Sequence, residues 1–347
     1  MKTKFSSIGI MVNKGNERKY VLKKYLDCNM KSIKMFCFTP SDVDWERKSI
    51  IGYHRVNRRW IMSRFPFPQV VYNRCYTLNP SFIERLEKVI GINKCFNHIN
   101  QFNKYETYQK LNEWFVHHLP ETVPFDKENA ARLLKIHKVL YLKPFYGHSG
   151  IGVYRVELKN SGEIQFGHNH FLPEYLVGDI LQFQVRIQEL LGSTPYIIQK
   201  GINTPKINDK NFDIRVLVQK NMKGLWSVTN VVSRIAHRGY FNTSICEKVC
   251  LSEEVLNFFY PPGMVNAIFQ SIYDLSLRSA EIMELHAGYH LGELSVDFAL
   301  DNVGHIWIIE VNGKPQKDLY DKIREQKNVY KRPLQYAHFL SRHESIR

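Results

Sequence analysis

Two apolar segments near the C-terminal end, Leu294–Leu300 and Ile306–Asn312, constrain this chain more than any other feature. Each is too short for a buried helix, and the second is rich in β-branched and aromatic residues. The link between them, Asp301-Asn302-Val303-Gly304, is built from turn residues, so the pair reads as a β-hairpin. Three polar residues interrupt the apolar pattern: Asp297 on the first strand, Glu310 and Asn312 on the second. Residues two apart on a strand share a face, so Glu310 and Asn312 point the same way, and the hairpin lays Asp297 beside them. The set offers oxygen ligands with no His or Cys, which suits a hard cation such as Mg²⁺, held by a few carboxylates together with phosphate oxygens. Among Val296, Phe298, Trp307, Ile308, Ile309 and Val311, carboxylates are expensive unless a cation compensates them. From spacing alone, a second reading stays open, in which Asp297 and Glu310 merely cap strand ends in solvent.

A second feature lies upstream. Val139–Lys143 reads as a strand ending in Lys143-Pro144, followed by the turn Gly147-His148-Ser149-Gly150-Ile151-Gly152 and a returning strand Val153–Leu158. A strand-end lysine can aim its ammonium at phosphates, and glycines let backbone N–H groups approach closely. This is not a Walker A loop, since no Gly-Lys-Ser/Thr follows, and not a Rossmann fingerprint, since a strand rather than a helix follows. A plain glycine-rich hairpin turn fits the same residues. A third group is basic. Asp213 and Arg215 lie two apart on the strand Phe212–Gln219, with Arg234 and Asn242 beyond the next strand, Trp226–Ser233. Arginines suit bidentate capture of phosphate or carboxylate, although Asp213 and Arg215 also fit a routine ion pair.

The remaining pattern is mixed. Ser7–Val12, Ile33–Phe38, Ile50–Val56 and Val70–Asn73 read as strands; Lys104–Phe115, Lys127–His137, Ile180–Leu191 and Val265–Leu285 as helices; Tyr196–Gln199 as a strand; and helix returns from Lys317 to the end. The expected class is therefore α+β, opening with an α/β portion, in three regions: 1–100, 101–203 and 204–347.

Composition narrows the class further. With 44% hydrophobic and 23% charged residues the chain is a folded protein, not a disordered one. The net charge of +15 asks for an anionic partner. The cations are dispersed apart from Lys14–Lys24 and Arg55–Arg64, which argues against nucleic acid as that partner. No apolar run approaches the roughly 20 residues of a membrane span, and the first residues read as a strand rather than a signal peptide. Cys28, Cys37, Cys75, Cys95, Cys246 and Cys250 are scattered, which predicts reduced thiols and a cytoplasmic setting.

Taken in order, these features resemble the ATP-grasp superfamily and, more narrowly, the YheC/YheD family of endospore coat-associated proteins. The resemblance is carried by FPFPQVVYNRC (65–75), NKYETYQKL (103–111), HHLPETVPF (117–125), VLYLKPFYGHSGIGVYRV (139–156), YIIQKGI (196–202), NFDIRVLVQK (211–220), WSVTNVVSRIAHRG (226–239) and VDFALDNVGHIWIIEVNGKP (296–315). It implies an N-terminal α/β domain followed by two α+β lobes that clamp ATP. By matched position, Lys104 and Lys143 would meet the phosphates. Gly147, Ser149, Gly150 and Gly152 would form a closing flap. Gln199, Lys200, Gly201 and Ile202 would form the adenine hinge. Arg215, Arg234 and Asn242 would serve the γ-phosphate and an acyl phosphate made from it. Asp297, Glu310 and Asn312 would bind one or two Mg²⁺ ions, or Mn²⁺. The implied activity joins a carboxylate to an amine, in the cytoplasm or at the spore coat, with coat proteins as candidate partners.

The chain departs from the superfamily pattern in places. Asn103 stands where an aspartate usually precedes the first lysine. Ser244-Ile245-Cys246-Glu247-Lys248 replaces a frequent glycine pair. Lys314 falls close in sequence to the metal triad. These departures keep a rival reading in play, a catalytically idle nucleotide-binding coat protein.

Overall fold

The computed structural model describes residues 6–28, 32–76, 78–321, 323 and 326–343. The chain builds three sheets in succession. The first contains β1 (Ser6–Met11), β2 (Ile33–Phe38), β3 (Val43–Asp44), β4 (Ser49–Val56), β5 (Arg59–Pro66), β6 (Val70–Asn73) and β7 (Cys95–Phe96), with α1 (Glu17–Leu26) after β1 and α2 (Pro80–Ile90) before β7. Its centre is parallel, β2-β1-β6-β7, and the β4–β5 hairpin extends it antiparallel to β2.

The helix α3 (Lys104–Phe115) leads into the second sheet, made of β8 (Thr122–Pro124), β9 (Val139–Pro144), β10 (Tyr154–Leu158), β11 (Ile164–His168), β12 (Tyr175–Val177) and β13 (Tyr196–Lys200). Its order is β12-β11-β10-β9-β13-β8, antiparallel throughout. The helices α4 (Lys127–His137) and α5 (Ile180–Leu191) cover one face through Leu133, Leu134, Phe183 and Ile187. Both start on aspartate caps, Asp126 and Asp179, whose side chains accept a backbone N–H of the first turn.

The third sheet, also antiparallel, runs β16 (Cys246–Leu251), β15 (Trp226–Ala236), β14 (Phe212–Lys220), β17 (Glu293–Leu300), β18 (Ile306–Asn312). Behind it lie α6 (Ser252–Phe259) and the long α7 (Pro262–Ala287), which with α3 closes a core around Ile214, Val296, Phe298 and Ile308. Every residue of β17 is buried. The last helix, α8 (Gln326–Arg342), returns to the first sheet and packs Val329, Leu334 and Ala337 against a cluster shared by β1, β6 and the third-sheet residues Leu217 and Val232. None of the described helices is long and apolar enough to cross a membrane.

Several elements differ from the sequence reading. The basic stretch Arg55–Arg64 is a hairpin: Asn57 and Arg58 both take positive φ (46° and 65°), a two-residue turn made without the glycine that usually announces one. The helix expected from Lys317 onward is split into a short 3₁₀ turn, Lys317–Tyr320, and α8, which carries Pro333 inside it. Cys37, Cys75, Cys95, Cys246 and Cys250 are free thiols, as expected.

Candidate functional site

The second and third sheets face each other across a cleft of about 1060 Å³. On the third-sheet side, Asp297 pairs directly with Glu310 in the β17–β18 ladder, and the register slips just beyond, between Asp297 and Phe298. The slip turns consecutive residues Ile309 and Glu310 toward the cleft, which both line. Asn312 Nδ2 stands 3.5 Å from Asp297 Oδ2. The three oxygen-bearing residues therefore converge, and the solvent-capping reading fails for Asp297, which is only 4% exposed.

Charge compensation explains how a carboxylate survives there. Arg215, its register partner on β14, grips Asp297 with two bonds, Nε to Oδ1 at 2.7 Å and Nη2 to Oδ2 at 2.6 Å. Arg234 Nη2 reaches the same Oδ2 at 3.1 Å. Burial works to raise the pKa of Asp297, but the two guanidiniums outweigh it and hold the carboxyl below its ordinary range. Asp213 and Arg215 do not pair with each other, since each finds its partner across strands. Asp213 lies opposite Arg234 in the β14–β15 ladder, binds its guanidinium, and accepts Thr243 Oγ1 at 2.6 Å. Glu310 Oε1 meets Lys104 Nζ at 3.0 Å.

Lys104 opens α3. Asn103 does the capping work expected of an aspartate, its Oδ1 accepting the N–H groups of Tyr105 (2.9 Å) and Glu106 (3.3 Å). The Lys104 ammonium also donates to the Gly147 carbonyl at 3.1 Å, tying the helix start to the glycine turn. Lys143, at the end of β9, is buried and donates to Gln199 Oε1 at 2.5 Å, while Gln199 Nε2 reaches Thr122 Oγ1 at 3.2 Å. Burial pushes the Lys143 pKa down to about 8; Glu310 and Asp297 pull it up and Lys104 adds to the fall. At the end of β13 and just past it, the N–H groups of Lys200 and Gly201 are spent on the carbonyls of Glu121 and Val139, both at 2.9 Å. The next residue, Ile202, lines the cleft.

The glycine turn spans the cleft mouth. Ser149, Gly150 and Gly152 all have positive φ (56°, 72° and 73°). Asn242 reaches over from the third-sheet side, its Nδ2 donating to Asn169 Oδ1 (2.8 Å) and the Ser149 carbonyl (3.3 Å), while its Oδ1 accepts the Ser244 N–H (2.9 Å). In this state its carboxamide clasps the turn.

Of the residues expected from sequence, Lys104, Lys143, Gly147, Gly150, Gln199, Lys200, Ile202, Arg234, Asn242, Asp297 and Glu310 line the cleft. Arg215 and Asn312 stand behind Asp297, Gly201 packs on Val139, and Gly152 lies against Tyr196 and Pro144. Ser149 faces a second depression together with Lys314, which is not in this cleft. Sequence reasoning missed the apolar wall: Tyr141 and Phe241, with ring centroids 5.5 Å apart, and Ile151, Val153, Ala299 and Ile309. Nothing in their spacing separates them from core residues. It also missed a carboxylate–imidazole group, Glu87, His98 and His290, but both His290 nitrogens are engaged, with the Cys95 carbonyl at 2.8 Å and Tyr336 Oη at 2.5 Å.

The donor set at the carboxylates fits Mg²⁺. It is all oxygen, and Glu310 Oε2 and Asn312 Oδ1 have no protein partner among the described residues.

The model of the YheC/D-like ATP-grasp family matches residues 93–340. The chain is similar to two proteins of Bacillus subtilis (strain 168). It is 24% identical over 326 residues to the endospore coat-associated protein YheD, covering 88% of this chain and 70% of that one. It is 23% identical over 344 residues to the endospore coat-associated protein YheC, covering 90% of each. Among solved structures, the D-alanine-D-alanine ligase from Coxiella burnetii superposes with a TM-score of 0.56 at 11% identity, covering 97% of this chain and 94% of that one. With the three-sheet architecture, the cleft and a match over most of its length, the chain belongs to the YheC/D-like ATP-grasp family.

Proposed function

We propose that the chain is an ATP- and Mg²⁺-dependent ligase that activates a carboxylate as an acyl phosphate for attack by an amine. The observation that carries this reading is the convergence of Lys104, Lys143, Arg234, Asp297 and Glu310 on one cleft spanned by a glycine turn. Lys104 and Lys143 face the phosphates of ATP from the second-sheet side, and the apolar wall of Tyr141, Phe241 and Ile309 takes the base. Mg²⁺ held by Asp297, Glu310 and Asn312 would neutralise triphosphate charge. An acceptor carboxylate oxygen attacks the γ-phosphorus, the bond to the bridging oxygen breaks, and ADP leaves with that electron pair. Arg234 and Arg215 stabilise the charge on the transferred group. The amine nitrogen then attacks the acyl carbon, phosphate leaves with the C–O pair, and the surplus ammonium proton passes to solvent. No protein nucleophile is needed: positioning and electrostatics supply the rate. The glycine turn, clasped by Asn242, keeps water from the acyl phosphate.

The names of the two Bacillus relatives, both endospore coat-associated proteins, support a coat-associated location with coat proteins as partners. One observation favours a second reading, an idle nucleotide-binding coat protein. Both oxygens of Asp297 are held by arginines and Glu310 by Lys104, so the carboxylates are already neutralised within the chain. Coupled measurement of ADP release separates the two. The ligase releases ADP in response to a carboxylate and an amine together, whereas the idle protein gains thermal stability with Mg·ATP but releases none.

A further inference from the structure

A second depression, of about 790 Å³, lies on the far side of the glycine turn from the ATP cleft. His148 lines both. The other walls come from parts of the chain distant in sequence: Tyr25 at the end of α1, Arg74 and Tyr76 after β6, Lys314 after β18 and Lys317 in the 3₁₀ turn.

Four cations line it, Lys24, Arg74, Lys314 and Lys317, against one carboxylate in the lining itself, the exposed Asp318. Lys24 is neutralised by Asp321 at 2.5 Å. Lys317 is buried against Glu293 at 2.5 Å and donates to the hydroxyls of Tyr25 (3.0 Å) and Tyr72 (2.8 Å). Arg74 leans on the same carboxylate from 3.7 Å and donates through Nη1 alone, to those same two hydroxyls. Lys314 is the exception. Among the described residues its ammonium meets no carboxylate and no hydrogen-bond acceptor, and it rests over the Tyr76 ring, 4.9 Å from the centroid. One carboxylate, Glu293, thus serves two cations while a third stands half-buried beside them. That arrangement is unfavourable until an anion arrives. The depression also abuts the reacting centre. Tyr76, its N–H held by Asn13 Oδ1, lies within the fields of both Glu310 and Arg215, and its ring stands 4.8 Å from that of His148.

We propose that this depression receives the acceptor, and that the acceptor carries a second anionic group, besides the carboxylate to be phosphorylated, which docks on Lys314 and Arg74. The inference deepens the ligase reading and rests on it for the word acceptor. The anionic pocket stands on its own charges. The second group is a carboxylate or a phosphate, which present the same charge-assisted acceptor chemistry to an ammonium and a guanidinium.

The test is calorimetric titration of the full chain, with and without saturating Mg²⁺ and adenylyl-imidodiphosphate, using glutarate against butyrate and phosphoglycolate against glycolate. The expected result is that at least one doubly charged probe binds about tenfold or more tighter than its singly charged counterpart, the scale of one charge-assisted hydrogen bond. Lys314→Met should erase that preference and Lys314→Arg keep it, with nucleotide affinity unchanged in both. Which of the two pairs shows the larger ratio tells carboxylate from phosphate. Equal affinities within both pairs, no binding of any probe, or a preference that survives in Lys314→Met would overturn the proposal. Anion selectivity that persists in a chain unable to bind the nucleotide would sink the ATP reading and leave the anionic pocket standing. If neither variant folds, the wild-type ratios alone decide.

Discussion

Gly150 and Asn242 occupy adjoining space: a Cβ on Gly150 would fall inside the van der Waals envelope of the Asn242 carboxamide, and the glycine also holds a φ of +72°. Gly162, at φ +91°, has the strain without a neighbour, since nothing lies within 4 Å of its virtual Cβ. Gly150→Ala should therefore cost more stability than Gly162→Ala. The control loses about 1 kcal/mol to the backbone and the cleft variant about twice that, measured by urea denaturation. The same variant should weaken Mg·ATP binding, because the displaced asparagine releases the turn. Equal losses at the two positions would mean that the clasp contributes nothing.

Asp297 and Glu310 should respond differently to loss of charge although they are paired in one ladder. Asp297→Asn leaves Arg215 and Arg234 facing each other without their shared anion, and should cost about 3–5 kcal/mol of stability. Glu310, half-buried and bridged to a single lysine, should lose less than about 1 kcal/mol on change to Gln. Glu310→Gln should nevertheless abolish the Mg²⁺-dependent part of the thermal stabilisation by ATP. A Glu310→Gln protein that responds to Mg·ATP like the wild type removes Glu310 from the metal site.

Lys143 predicts a pH profile. In the proposed ligase its charged form would pair with phosphate, and burial lowers its pKa to about 8. Affinity for Mg·ATP should fall as pH rises from 7.5 to 9.5, and Lys143→Arg, which stays protonated, should flatten the fall. Between pH 8 and the ordinary lysine range the unfolded chain binds more protons than the native one at this residue. Lys143 thus adds stability with rising pH there, the opposite direction from its effect on binding.

His290 should make the fold acid-sensitive independently of the cleft. Burial, with Lys220 nearby, lowers its pKa to about 3, so it stays neutral against the Cys95 carbonyl and Tyr336. From about pH 6.5 down, the unfolded chain takes up a proton that the native state refuses, and stability falls by up to about 1.4 kcal/mol per pH unit from this one group. His290→Gln should make the slope of unfolding free energy between pH 6 and 4 shallower by about one proton, measured by denaturant titration at each pH. An unchanged slope would show that His290 is protonated in the native state.

The C-terminal hairpin was legible because its polar residues interrupt an apolar pattern; Asp297, Glu310 and Asn312 stand out against Val296 and Ile308. The glycine turn was legible for the same reason, since glycine reports on the backbone. The partners of Asp213 and Arg215 were not. Two residues on one strand look paired in sequence, whereas sheet register sends Asp213 to Arg234 and Arg215 to Asp297. The direction of Lys314 was not legible, because the chain turns after Asn312 and two residues of travel carry the ammonium to the far side of the glycine turn. The wall of Tyr141 and Phe241 was invisible because apolar residues lining a cleft have the same composition as those filling a core.

The return of α8 to the first sheet has a mechanical consequence. Its cluster joins the first and third sheets through Leu217, Val232, Leu334 and Ala337, and the buried Glu293–Lys317 bridge with Tyr72 rivets the same seam. The core of the second sheet, from Ala130 to Ile198, is built from that sheet and its own helices α4 and α5. The outer sheets are therefore joined along one buried seam. The middle sheet meets this joined pair across the cleft through polar ties, Lys104 to Gly147 and Asn242 to Ser149, and an opening of the cleft would have to break them.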